Sequence, residues 1–109
     1  MKNEFQILYE TILDRKENKE VGSYTSYLYE KGLEKILKKV GEECSEVIIA
    51  SMKENNKEEI VNELGDLFYH LFVLMAEKDI CLDDVNEELH RRSKKTGNLK
   101  PERRKIEEY

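Results

Sequence analysis

The run Leu67-Phe68-Tyr69-His70-Leu71-Phe72-Val73-Leu74-Met75-Ala76 is apolar nearly all round a helix, and a helix of that kind has to be enclosed by other elements. It closes a longer helical pattern, from about Lys57 to Lys78, in which Ile60, Val61, Leu64, Leu67, Phe68, Leu71, Phe72 and Met75 recur at helical spacing. A chain of 109 residues has few elements with which to surround it. The expectation is therefore an all-α fold, an antiparallel helical bundle completed by homodimerisation.

The remaining elements fit that frame. A first helix is predicted from about Asn3 to Lys16, on the spacing of Phe5, Leu8, Tyr9, Ile12 and Leu13. Glu17 to Ser23 reads as a polar loop. A long pattern from about Tyr27 to Lys53 then carries Leu33, Ile36, Leu37, Val40, Cys44, Val47 and Ile48 on one stripe, with Gly32 as a candidate break near its start and Cys44 as a small core residue. Asn55-Asn56 is a short connection, and Asn56 with Glu59 has the form of a capping box. Two long helices joined so tightly pack antiparallel. A last helix is expected from about Leu82 to Ser93, with Asp83 and Asp84 in its first turn and Arg91 and Arg92 in its last, charges that complement the helix dipole.

Charge narrows the partners. The net charge is −5, yet Arg91 to Tyr109 holds eight of the 19 Lys and Arg residues and three of the 24 Asp and Glu residues. We divide the chain into a helical domain over residues 1–95 and a basic tail over 96–109, whose default role is a solvated one. An acidic body repels a polyanion unless metal ions intervene, so no nucleic-acid partner is expected. The start of the chain lacks the apolar core of a signal peptide, and no apolar run reaches the ~18 residues needed to cross a bilayer. Cys44 and Cys81 form no CxxC pair. A cytoplasmic location with no membrane partner is the expectation.

The carboxylates carry the chemistry. On a helical wheel centred on each apolar stripe, Glu43 and Glu46 lie roughly 80° and 140° to one side, and Glu63 and Asp66 roughly 110° and 170° to the same side. Each pair has i, i+3 spacing, which places two carboxylates on adjacent turns, and antiparallel packing can bring the pairs together. Gly41 and Gly65 stand beside them inside helices, where glycine costs about 1 kcal/mol relative to alanine, and close helix approach would explain both. Four converging carboxylates repel, and a hard divalent cation removes that repulsion. All-oxygen ligation selects Mg²⁺, or Mn²⁺, over zinc. The plain reading of such acidic faces is solvation, because charge runs on helices are common; the occurrence of two motifs at mirrored distances from one hairpin argues against it.

EExxE at Glu42 to Glu46, then sixteen residues, then ExxD at Glu63 to Asp66, resembles the signature of the all-α nucleoside triphosphate pyrophosphohydrolase (MazG-like) superfamily. Within it the chain is most similar to the phosphoribosyl-ATP pyrophosphatases of histidine biosynthesis. The likeness covers about Phe5 to Arg92. It is carried by Ser23-Tyr24-Thr25, the run from Lys31 to Glu43, Asp66-Leu67-Phe68-Tyr69-His70-Leu71, and Leu82-Asp83-Asp84-Val85. Cys44-Ser45 and Gly65 depart from it, where small residues and an alanine are usual. The resemblance implies hydrolysis of phosphoribosyl-ATP between its α- and β-phosphates, giving phosphoribosyl-AMP and pyrophosphate. It also implies Glu43, Glu46, Glu63 and Asp66 as metal ligands.

Other roles follow from position. Glu42 points away from the apolar stripe and is assigned to support the ligands or to act as the base. Lys39, one turn before the acidic cluster and inside the family-like run, is assigned to phosphate, against the plain reading of a solvated lysine. Ser23, Tyr24 and Thr25 are assigned to ribose or phosphate, or alternatively to capping the helix that follows. His70, one turn beyond Asp66, is read as a packed and hydrogen-bonded histidine with a supporting role in the site as the other option. Two rival functions use the same residues: a house-cleaning hydrolase of (deoxy)nucleoside triphosphates in the same superfamily, and a non-catalytic helical dimer that only binds metal.

Overall fold

The computed structural model describes residues 1–95, so the expected basic tail over 96–109 lies outside the described residues. Five helices follow in order: α1 Glu4–Glu17, α2 Tyr24–Lys31, α3 Leu33–Ser51, α4 Lys57–Glu77 and α5 Leu82–Ser93. Among the described residues there is no strand, as the sequence predicts.

Local chemistry sets most of the boundaries. Asn3 caps α1 by a reciprocal pair of bonds: its side chain accepts from the Gln6 N–H at 3.0 Å, and Gln6 Oε1 accepts from the Asn3 N–H at 2.8 Å. Ser23 caps α2, its hydroxyl accepting from the Ser26 N–H at 3.2 Å. The long second pattern is two helices, not one. Gly32 has φ +96° and ψ −178°, a conformation open essentially to glycine alone, and it ends α2 and starts α3 in a single residue. Its N–H closes α2 on the Leu28 carbonyl at 3.0 Å, and its carbonyl accepts from Ile36 at 3.2 Å.

Asn56 does precede α4, but it makes no side-chain cap bond. Its amide instead donates to the Ala50 carbonyl at 3.0 Å, satisfying the end of α3, so the predicted box with Glu59 is not formed. The end of α4 is a Schellman turn: Asp79 has φ +57°, its N–H reaches the Ala76 carbonyl at 3.3 Å, and the Ile80 N–H reaches Met75 at 2.9 Å. The Asp84 carboxylate then accepts from the Cys81 N–H at 3.0 Å and opens α5.

The core is Tyr9 and Ile12 of α1, Leu28 of α2, Ile36 of α3, and Phe72, Val73 and Ala76 of α4. The apolar end of α4 is thus enclosed on the sides that α1, α2 and α3 supply. Tyr9 and Tyr29 place their hydroxyls on the carbonyls of Ile80 and Val73, which keeps both aromatic residues satisfied where they pack. Burial pushes the Tyr29 phenol well above its ordinary range.

The hairpin of α3 and α4 extends beyond this core. Leu37, Ile48, Ile49, Met52 and Val61 are exposed there, as are Val85 and Leu89 on α5. Cys44 is exposed as well, because it lies on the part of α3 that no described element covers; the expectation of a core cysteine fails at that point. Gly41 and Gly65 are also corrections. A Cβ added at either would meet nothing within 4 Å, so close helix approach does not explain them within one chain.

Candidate active site

The acidic site is assembled by the α3 and α4 hairpin. One carboxylate oxygen each from Glu43, Glu63 and Asp66 lie within 4.8 Å of one another. Glu43 and Glu63 are half-buried and Asp66 is exposed, so the group opens to solvent on the Asp66 side. The three side chains come from facing turns of antiparallel helices, as the spacing of the two motifs requires.

Charge accumulates here. Burial first, and then the carboxylates of Asp66, Glu46, Glu43 and Glu59, hold Glu63 above the usual glutamate range. Glu46 is exposed and is not one of the three converging groups, although Glu63 feels its charge. Glu42 is turned toward Lys39, whose Nζ lies 3.1 Å from Glu42 Oε2 and 3.6 Å from Glu43 Oε1. That hydrogen bond raises the Lys39 ammonium and holds the Glu42 carboxyl below its ordinary value.

Beside the carboxylates stands an aromatic wall from α2. The Tyr24 hydroxyl is 3.1 Å from His70 Nε2, and its ring stacks against Tyr27 and Tyr69 at centroid separations of 6.0 Å. His70 is buried, and its Nδ1 lies 2.7 Å from the backbone carbonyl of Asp66. An open cleft of about 570 Å³, lined by Lys19, Val21, Ser23, Tyr24, Tyr27 and Glu30, adjoins this wall. Of the segment singled out in the sequence, Tyr24 is exposed to the site, Ser23 caps α2, and Thr25 is buried against the Tyr69 hydroxyl. The Tyr24–His70 and Thr25–Tyr69 pairs escaped sequence reasoning, because partners 46 and 44 residues apart leave no local signal.

The donor set suits a hard divalent cation. It offers three carboxylate oxygens, includes no imidazole or thiolate, and has one open side where water or phosphate oxygens can complete the shell.

An all-helical hairpin that brings Glu43, Glu63 and Asp66 together beside an exposed tyrosine and a lysine resembles the arrangement expected of a nucleotide pyrophosphohydrolase. Residues 5–93 match the family model described as phosphoribosyl-ATP pyrophosphohydrolase. The chain is 59% identical to a protein of Clostridium novyi (strain NT) named phosphoribosyl-ATP pyrophosphatase, over 92% of this chain and 90% of that one. It is 57% identical to a protein of that name from Clostridium acetobutylicum over the same shares, and 54% identical to one from Bacillus cereus (strain B4264) over 98% of each chain. The chain belongs to the phosphoribosyl-ATP pyrophosphohydrolase family.

Proposed function

We propose that this chain hydrolyses phosphoribosyl-ATP to phosphoribosyl-AMP and pyrophosphate, a step of histidine biosynthesis, at the acidic site of α3 and α4. The observation that carries the reading is the meeting of Glu43, Glu63 and Asp66 oxygens within 4.8 Å. Family membership and the names of the relatives supply the substrate.

Glu43, Glu63 and Asp66 would hold magnesium, with manganese as a substitute, and Glu46 would join them from the next turn of α3. Bound there, the ion would offset the repulsion felt by Glu63, polarise the phosphate oxygens and lower the pKa of a bound water. Lys39 offers an ammonium to the triphosphate, and Glu42 keeps that ammonium in place through its hydrogen bond. Tyr24 faces the nucleotide, and the cleft beside it has room for the nucleoside end. The attacking water forms a new bond to the α-phosphorus and gives its proton to a neighbouring carboxylate, the α,β-anhydride P–O bond breaks, and pyrophosphate departs with the bonding electron pair.

The same reading includes a homodimer, supported by the exposed Leu37, Ile48, Ile49, Met52 and Val61 on the hairpin and Val85 and Leu89 on α5. It also includes a cytoplasmic location. Among the described residues no helix is long and apolar enough to cross a membrane.

Pyrophosphate release from phosphoribosyl-ATP, compared with a panel of ribo- and deoxynucleoside triphosphates with and without EDTA, tests the activity. The expected result is magnesium-dependent turnover with preference for phosphoribosyl-ATP, nearly abolished by Asp66→Asn and by Glu46→Gln with helicity intact. Preference for a deoxynucleotide, or full turnover in EDTA, overturns it. Sedimentation of the full chain tests the dimer.

A further inference from the structure

We infer that His70 is a positioning residue for the acidic site: its ring braces the turn of α4 that carries Asp66 and fastens that turn to Tyr24 at the head of α2. This rests on the metal-site reading above.

The geometry leaves both ring nitrogens engaged. A backbone carbonyl can only accept, so the 2.7 Å contact between Nδ1 and the Asp66 carbonyl places the proton on Nδ1. In the neutral ring Nε2 then accepts from the Tyr24 hydroxyl at 3.1 Å. The ring is only 5% exposed and stands edge-on to Tyr24 at 5.7 Å and to Tyr69 at 4.9 Å, so neither bond is free to rotate away.

The turn needs such a brace. Gly65 directly precedes Asp66, and glycine inside a helix loosens the backbone. No side chain packs over Gly65 to compensate. The Asp66 carboxylate must nonetheless meet Glu43 from another helix. Fixing the Asp66 carbonyl from one turn below restricts the peptide from which the carboxylate projects. A second tie lies alongside, where Thr25 and Tyr69 join their hydroxyls, so α2 grips α4 at two successive residues. Outer partners of this kind typically change metal affinity or activity by about 10–100-fold when removed.

Mn²⁺ binding to the free full-length protein, followed by electron paramagnetic resonance, tests the inference without turnover. His70→Ala is expected to weaken Mn²⁺ binding about tenfold with unchanged far-UV circular dichroism. His70→Asn, whose amide can still donate to the Asp66 carbonyl, should return it to within about threefold of the parent. Tyr24→Phe should fall between the two and shift the ¹⁵N resonance of His70 Nε2. Equal Mn²⁺ affinity in His70→Ala and the parent overturns the brace, as does a His70→Asn variant no better than His70→Ala. If His70→Ala fails to fold, Tyr24→Phe decides, and unchanged affinity with an unchanged His70 spectrum overturns it. A parent protein that takes up no Mn²⁺ overturns the metal site itself, an outcome distinct from uptake that is insensitive to His70.

Discussion

Lys39 Nζ lies 3.6 Å from Glu43 Oε1, so an ammonium occupies one side of a carboxylate that also meets Glu63 and Asp66. With side-chain exposures of 23% and 13%, the pair is better shielded than an ordinary surface ion pair. Lys39 therefore competes with a cation for Glu43 while remaining able to meet phosphate. Lys39→Met should move two quantities in opposite directions. Mn²⁺ affinity should rise about two- to fivefold, the scale of a partly exposed ion pair. On the proposed phosphate-binding role of Lys39, the kcat/KM for phosphoribosyl-ATP should fall about tenfold or more. Metal titration and steady-state kinetics on the same preparation check both.

Glu63 yields a pH prediction. Its carboxyl is raised in the fold, by burial and then by Asp66, Glu46, Glu43 and Glu59, relative to the ordinary 4.5. A raised acid favours the folded state fully below the unfolded value, and that contribution is lost as pH rises through the folded value. Near pH 7 in EDTA, Glu63→Gln should therefore melt at a higher temperature than the parent, and the difference should vanish as pH falls below 4.5. Added Mg²⁺ should raise the melting temperature of the parent more than that of the variant.

Gly41→Ala and Gly65→Ala have open space to enter. Each removes an interior helical glycine, so each should stabilise the isolated protein by about 0.5–1 kcal/mol, a rise in melting temperature of about 2–8 °C for a domain of this size. Calorimetry of the substrate-free protein checks this. Because Gly41 precedes the first acidic motif and Gly65 lies within the second, turnover by the same variants reports whether a bound nucleotide needs the space.

Gly32→Ala is expected to act in the opposite sense. With φ at +96°, the residue between α2 and α3 adopts a conformation that strains any side chain by about 1–3 kcal/mol. Urea denaturation should show a loss of that order. Space is not the cause, since a Cβ there meets nothing within 4 Å.

The sequence made the helices legible because their apolar residues repeat and their starts carry cap chemistry. The predicted bounds of α5 are those of the structure, and the spacing that sets both acidic pairs on one flank is matched by the convergence of Glu43, Glu63 and Asp66. What periodicity could not convey was coverage. Cys44 and Ile48 lie on the same stripe as Ile36, but only Ile36 reaches the part of the hairpin that α1 and α2 cover. A stripe records which face is apolar, not which end of it is occupied. Asn56 departs from the predicted capping box for a related reason: the same side chain can serve the helix behind it or the one ahead, and here it serves α3. The Tyr24–His70 bond had no signature, since its two groups meet only after α2 has docked on α4.

The bond from Tyr9 to the Ile80 carbonyl joins residues 71 positions apart, from the first helix to the turn that closes the fourth. During synthesis α1 emerges with a tyrosine whose hydrogen-bond partner, the Ile80 carbonyl, comes only after the whole of α4. The first helix and the turn behind the fourth are thereby held to each other in the folded protein. A truncation just short of Ile80 would cost more than the few residues it removes, because the N-terminal helix would lose its anchor at the same moment.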